Sequence, residues 1–179
     1  MANRPNKDEY YLKIAEAVAG RGTCARRLVG AVIVKNDTIV STGYVGAPRG
    51  EPNCIDMGVC LRQKHKVPSG TFYELCRSVH AEENAIINAA RSGASILGGT
   101  LYLFSKPRDA NLYPNKQLPS ALYLPCYRCK KQIINAGLKE VVILAGDKII
   151  RLTEDDIRKS IKEDEENLPK SLSPLLSKL

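Results

Sequence analysis

The chain has 179 residues, of which 44% are apolar and 26% charged, enough for one globular domain with a sizeable core. No apolar run approaches the roughly 20 residues that cross a bilayer, and MANRPNKDEYYLK carries charges where a signal peptide has its apolar region, so a cytoplasmic location is expected. The formal charge of +8 is uneven, because residues 147–179 hold seven basic and eight acidic side chains, and the excess over residues 1–146 can steer an anionic ligand.

In chain order, residues 8–19 place Tyr11, Ile14, Ala15 and Val18 at helical spacing, and Gly20 and Gly22 stop the run. LVGAVIVK, residues 28–35, is a continuous β-branched run that predicts a buried strand. Asn36 and Asp37 supply a turn, and TIVSTGY, residues 38–44, returns as a second strand. Residues 46–70 are rich in Gly, Pro and Cys without an apolar period, a long irregular segment that needs something to hold it. HAEENAIINAARS, residues 80–92, predicts a helix with Ala81, Ala85, Ile86 and Ala89 on its apolar stripe and Gly93 at its end.

TLYLF, residues 100–104, reads as a third strand, and residues 105–124, with three prolines, as an exposed excursion. A helix follows from Cys126 to about Asn135, capped by Gly137, and EVVILAG, residues 140–146, reads as a fourth strand. Thr153 is placed to cap a last short helix whose first turn holds Glu154, Asp155 and Asp156. Strands alternating with helices imply an α/β sandwich with some parallel pairing. A boundary is expected near residue 150, with a principal domain over 1–150 and a helix and arm over 151–179.

The six cysteines could form three disulfides, but in a reducing compartment cysteines more often bind metal or do chemistry. Two pieces carry the chemistry: His80-Ala81-Glu82 and Pro125-Cys126-Tyr127-Arg128-Cys129. A Cys-x-x-Cys pair at a helix N-terminus can place both sulfurs on one metal, and the helix dipole favours the thiolates. A third ligand, His80, at the start of another helix would leave one zinc position open, where a water can bind and ionise near neutral pH. Glu82 can reach that water without occupying the metal and can carry its proton to a leaving group. Either piece alone is also a helix start, a structural half-site or a redox pair. Together, in this order and each before a helix, they form the H-x-E with P-C-x-x-C signature of zinc nucleobase deaminases.

With TCARRLVGAVIVK (23–35), STGYVGAPRG (41–50), CRSVHAEENAI (76–86) and PCYRCKKQIINAG (125–137), the chain resembles the deoxycytidylate deaminase family, over roughly residues 8–146. The resemblance implies the cytidine deaminase-like fold, a three-layer α/β/α sandwich with a central mixed sheet. It implies hydrolysis of dCMP to dUMP and ammonia, with His80, Cys126 and Cys129 on the catalytic zinc and Glu82 as proton shuttle: Glu82 protonates ring nitrogen N3, water attacks C4, and the amino group leaves. It also suggests a second, structural zinc held by Cys24, Cys54, Cys60 and Cys76, which would pin residues 46–70; four free thiols, or His65 in place of one cysteine, are the alternatives. Arg26 and Arg27 stand where the family has basic residues and are candidates for the nucleotide phosphate, with Arg49 and Lys64 as weaker ones.

The family further implies a homo-oligomer, often a hexamer, and dCTP and dTTP as effectors. The segment linked to effector handling reads Gly43-Tyr44-Val45-Gly46 here, with valine in place of an amide that could hydrogen-bond to a nucleotide. Three other readings stay open: a deaminase of another cytosine nucleotide such as dCTP or a modified dCMP, an RNA-editing deaminase, and a non-catalytic zinc module that binds nucleic acid. Neither a membrane nor a nucleic-acid partner is expected from the favoured reading.

Overall fold

Strand β3 (Thr100–Pro107) lies at the centre of a five-stranded sheet, between β1 (Arg27–Lys35) and β4 (Glu140–Ala145), with β2 (Thr38–Tyr44) and β5 (Lys148–Thr153) at the edges. The structure, a computed structural model, describes residues 4–68, 72–109 and 123–167. Pairing is antiparallel except between β3 and β4, so the sheet is mixed. Asn36 and Asp37 form a two-residue turn between β1 and β2, both with positive φ (49° and 61°), the backbone a tight hairpin requires.

The continuous apolar run of β1 is explained by burial on both faces. Val32 and Val34 meet Tyr11, Leu12, Ala15 and Ala19 of α1 (Lys7–Ala19), together with Tyr102, Phe104 and Val142. Ala31 and Ile33 point the other way, as the period of two demands. They join Leu101, Leu103, Val141 and Ile143 under Ala81, Ala85 and Ala89 of α3 (Ala81–Ser92), Ile133 of α4 (Tyr127–Asn135) and Ile157 of α5 (Glu154–Glu166). One helix on one face and three on the other make the three-layer α/β/α sandwich. Among the described residues no helix is long and apolar enough to cross a membrane.

Two glycines let the helices sit this close. A Cβ on Gly30 would fall 2.2 Å from the Ala15 carbonyl oxygen, and one on Gly43 would fall 2.3 Å from the Ala85 nitrogen. The second contact seats α3, and with it His80, directly on β2. The seat is locked by Ser41 Oγ to the Ala85 carbonyl (2.6 Å), Asn84 Nδ2 to the Tyr44 carbonyl (2.8 Å) and Asn88 Nδ2 to the Thr42 carbonyl (2.8 Å). Just ahead of His80, Gly46 and Val79 exchange both backbone hydrogen bonds.

The structure adds elements to the sequence expectations. Residues 148–153 are a fifth strand, with Lys148 and Arg151 exposed on a sheet edge, where apolar alternation is weakest. That strand runs across residues 150 and 151, and Ile157 beyond it is 2% exposed in the core. β3 continues three residues past Phe104, because Leu28 and Arg27 still pair with Lys106 and Pro107. The irregular stretch 46–70 contains a one-turn helix, α2 (Leu61–Lys64). Most of the 105–124 excursion and of the C-terminal arm lies outside the described residues.

Candidate functional site

Two helix N-termini converge at a cavity that is also lined by Leu103 and Ser105 of β3 and by Arg27 and Val29 of β1. His80 is the N-cap of α3 and Cys126 the N-cap of α4, both in extended backbone, and Cys129 follows in the first turn of α4. His80 Nδ1 lies 3.4 Å from the sulfurs of both Cys126 and Cys129. Tetrahedral zinc with its usual bonds, about 2.0–2.1 Å to nitrogen and 2.3 Å to sulfur, spaces such ligand atoms about 3.5 Å apart. Donor chemistry and spacing therefore both fit zinc, and among the described residues this is the one cluster of three metal-ligating side chains within 4.8 Å of one another.

The three ligand side chains shift one another's proton affinities. A hydrogen bond from Cys129, and a further one from His80, pull the Cys126 thiol well below its ordinary range, while the same Cys126 partner and burial push Cys129 up. Burial lowers the His80 imidazole's affinity for a proton, but hydrogen bonds to Cys126 and Cys76 prevail and raise its pKa to about 10. Zinc binds thiolates and neutral imidazole, so binding at this cluster would release the protons it holds.

Glu82, in the first turn of α3, is 4% exposed and lines the same cavity of about 150 Å³ as His80 and Cys126. Burial raises its pKa against the downward pull of His80. A carboxyl shifted upward holds a proton more readily near neutral pH, which suits a group that must accept and return one.

The cavity is also lined by Arg26, Arg27, Cys24, Cys60 and Cys76. Arg27 donates to Ser105 Oγ. Arg108 fixes the strand's approach, with its Nε 2.7 Å from the Cys24 carbonyl and its backbone N–H 3.0 Å from the Arg26 carbonyl. Cys54 is buried, with its sulfur 3.7 Å from Ser78 Oγ, and burial raises its pKa, with Cys24, Cys76 and Cys60 close enough to add to the shift. The four cysteines thus share one neighbourhood without closing to the spacing of the His80 cluster.

Other candidates fall elsewhere. Arg49 binds Asn88 Oδ1 at 2.7 Å on the outside of α3, Lys64 is exposed on α2, and His65 lines a separate apolar hollow with Val67, Phe72 and Leu75. Sequence reasoning missed Arg62 and Tyr73. Arg62 is 5% exposed, grips the Phe72 and Pro68 carbonyls (2.5 and 2.8 Å), and lies 5.0 Å from the Tyr73 ring centroid. Tyr73 in turn sits edge-on to His80 at 5.4 Å and lines the cavity. No local pattern marks either residue. Val45 is buried in the cavity wall with Val29 and Leu103.

Residues 5–145 match the family model described as the cytidine and deoxycytidylate deaminase zinc-binding region. The chain is 36% identical over 145 residues to the deoxycytidylate deaminase of Mycobacterium phage D29, covering 78% of this chain and 95% of that protein. It is 34% identical over 139 residues to the deoxycytidylate deaminase of Schizosaccharomyces pombe, again covering 78% of this chain but only 37% of the yeast protein. Among solved structures, the dCMP deaminase of cyanophage S-TIM5 in apo form is similar at a TM-score of 0.52 and 30% identity, over 78% of this chain and 82% of that one. The same cyanophage enzyme has been solved in complex with dCMP and dUMP.

Proposed function

The chain belongs to the zinc-binding family of cytidine and deoxycytidylate deaminases, and from that premise we propose that it hydrolyses dCMP to dUMP and ammonia. The observation that carries the reading is a buried Glu82 carboxyl in one cavity with His80 and Cys126 of the His80–Cys126–Cys129 cluster. That pairing puts a proton carrier beside an open metal position. The substrate follows from relatives named for dCMP and from a cyanophage relative solved with dCMP and dUMP.

His80, Cys126 and Cys129 would hold the catalytic zinc, which when bound supplies Lewis acidity that makes water nucleophilic near neutral pH. The rest falls to the chain's own residues. Val29, Val45 and Leu103 wall the cavity and exclude bulk water from the pyrimidine. Glu82 takes a proton from the attacking water and delivers it to ring N3, which draws electrons from C4. It then takes the second proton from the new C4 hydroxyl and passes it to the exocyclic nitrogen, so that the C4–N bond breaks and ammonia leaves while the carbonyl of dUMP forms. Arg26 and Arg27, at the mouth, offer charge-assisted hydrogen bonds to the 5′-phosphate.

Cys24, Cys54, Cys60 and Cys76 would hold a second, structural zinc that anchors residues 46–70; their shared neighbourhood supports this, and binding would draw the sulfurs together. Residues 1–150 would form the body of the deaminase unit, with 151–179 completing β5 and adding the C-terminal helix and arm. A cytoplasmic homo-oligomer completes the proposal, and Val45, buried in the cavity wall where the family has an amide, argues against control by dCTP and dTTP.

The test is a zinc-per-chain assay paired with ammonia release from dCMP, dCTP, cytidine and deoxycytidine. Two zincs and a strong preference for dCMP are expected. One zinc would overturn the structural site alone, and preference for another nucleotide would overturn the substrate.

A further inference from the structure

A metal site split between two helices is only as good as the alignment of those helices. Ligand atoms displaced by half an ångström lose much of their affinity, so whatever fixes the helix starts relative to each other matters as much as the ligands. Here His80 is carried by α3 and the two cysteines by α4. One side chain touches the beginnings of both helices: Glu83, the neighbour of Glu82 that faces away from the cavity.

Its carboxylate makes three contacts. Oε2 accepts from the backbone N–H of His80 at 3.4 Å, a loose N-terminal cap, and from Arg128 Nη2 at 2.7 Å. Oε1 accepts from Gln132 Nε2 at 2.9 Å. Arg128 lies between the two cysteines of Cys-x-x-Cys, and Gln132 lies one turn past Cys129. The Glu83 side chain is 17% exposed and that of Arg128 34%, so the pair is partly shielded from solvent. Arg128 Nε and Gln132 Oε1 are buried without a hydrogen-bond partner among the described residues, so the contact with Glu83 is what orients both side chains.

We propose that Glu83 is a positioning residue for the metal centre: one carboxylate clamps the N-terminus that carries His80 to the helix that carries Cys126 and Cys129. The proposal rests on the deaminase reading above, since it assigns no chemistry to Glu83 and acts only through the three ligands. It differs from the role of Glu82, whose carboxyl faces the substrate. Removing the clamp leaves the cavity and the proton carrier in place and relaxes the spacing between the nitrogen and the two sulfurs.

The experiment follows zinc release from the purified full chain into a chromogenic chelator, with steady-state kinetics alongside. Glu83→Gln keeps the shape and loses the charge; Arg128→Met removes the partner from the other helix. Each is expected to release zinc about 10–100-fold faster than the parent. The double variant should be little worse than either single one, because both changes break the same clamp. KM for dCMP should stay near the parental value while kcat falls in step with zinc occupancy. Cobalt-substituted samples should show altered visible absorption, which a purely structural role would not produce. Should Glu83→Gln fail to fold, Arg128→Met decides by the same criteria. Parental zinc retention in a folded variant would overturn the clamp and leave the deaminase reading intact. A parent chain that binds no zinc would overturn both.

Discussion

Lys130 Nζ lies 2.6 Å from Asp164 Oδ2, joining α4 to α5 through a lysine that is 5% exposed. The same ammonium reaches Ser160 Oγ at 2.6 Å. The pair ties the helix bearing Cys129 to a helix beyond the region matched by the family model. Asp164→Ala leaves a buried ammonium short of its charge partner and is expected to cost about 1–3 kcal/mol, below the fully buried figure because the Asp164 side chain is 38% exposed. Lys130→Met fills the same space without a charge and should cost less. Urea unfolding of the two variants checks the order; a larger loss for Lys130→Met would mean that the ion pair itself, not the stranded charge, matters.

Glu82→Gln is expected to keep its metal and lose at least about 10³-fold in kcat, because one carboxyl makes both proton transfers. Metal analysis and ammonia release on the same sample check this. Near-parental turnover would remove Glu82 from the mechanism.

Cys129→Ser should lose zinc and activity together, since the sulfur is buried and a weaker ligand takes its place in a set of three. Chelator treatment of the parent should abolish ammonia release, and added zinc should restore it. Activity that persists in metal-free protein would end the zinc reading.

Gly43→Ala should destabilise the chain by about 1–3 kcal/mol or more, because a Cβ there collides with the backbone of α3 and has nowhere to move. The thermal midpoint should fall, and His80, which opens that helix, should shift with it. An unchanged midpoint would show that α3 and β2 meet less tightly than the glycine contact implies.

Stability should decline in acid through two carboxylates away from the site. For Glu140, burial raises the pKa, but hydrogen bonds from Thr100 (2.7 Å) and Arg151 (2.6 Å) outweigh it and hold the group below its ordinary 4.5. Lys7 and then Tyr11 hold Asp37 below its ordinary range. Each group binds its proton more readily unfolded than folded. The stability each contributes is therefore fully present above its unfolded pKa and lost as pH falls through the lower folded one. Urea midpoints measured from pH 7 down to 3 should fall below about pH 5, less steeply in Glu140→Gln. A flat profile would contradict the assignment.

Much of the fold was legible because its signals are local. The β-branched run of β1, the Asn36-Asp37 turn and the Thr153 cap each declare themselves within a few residues, and Thr153 does accept from the Asp156 N–H at 3.2 Å. The metal cluster was legible as two short motifs in a fixed order. What was not legible depends on partners far along the chain. β5 is held by its pairing with β4, not by its own half-exposed residues. The last residues of β3, ending in a proline, are strand only because β1 lies beside them. Arg62, on the one-turn α2, and Tyr73 meet each other and His80 at the cavity, a juxtaposition that no periodicity encodes.

The pairing of β1 with β3 sets a timetable for the newly made chain. α1 and the β1–β2 hairpin can form as soon as they emerge, but β1 stays half-partnered until Leu103 arrives to meet Ala31. The His80 cluster is completed later still, since Cys126 comes 46 residues after His80 and follows Leu103 in the chain. At about 5–20 residues per second, translation leaves the imidazole for several seconds without the thiols. The three metal ligands are therefore complete only after β1, β2 and β3 have been made but before β4 and β5 arrive, so zinc can hold the two helix starts together while the sheet is still being finished.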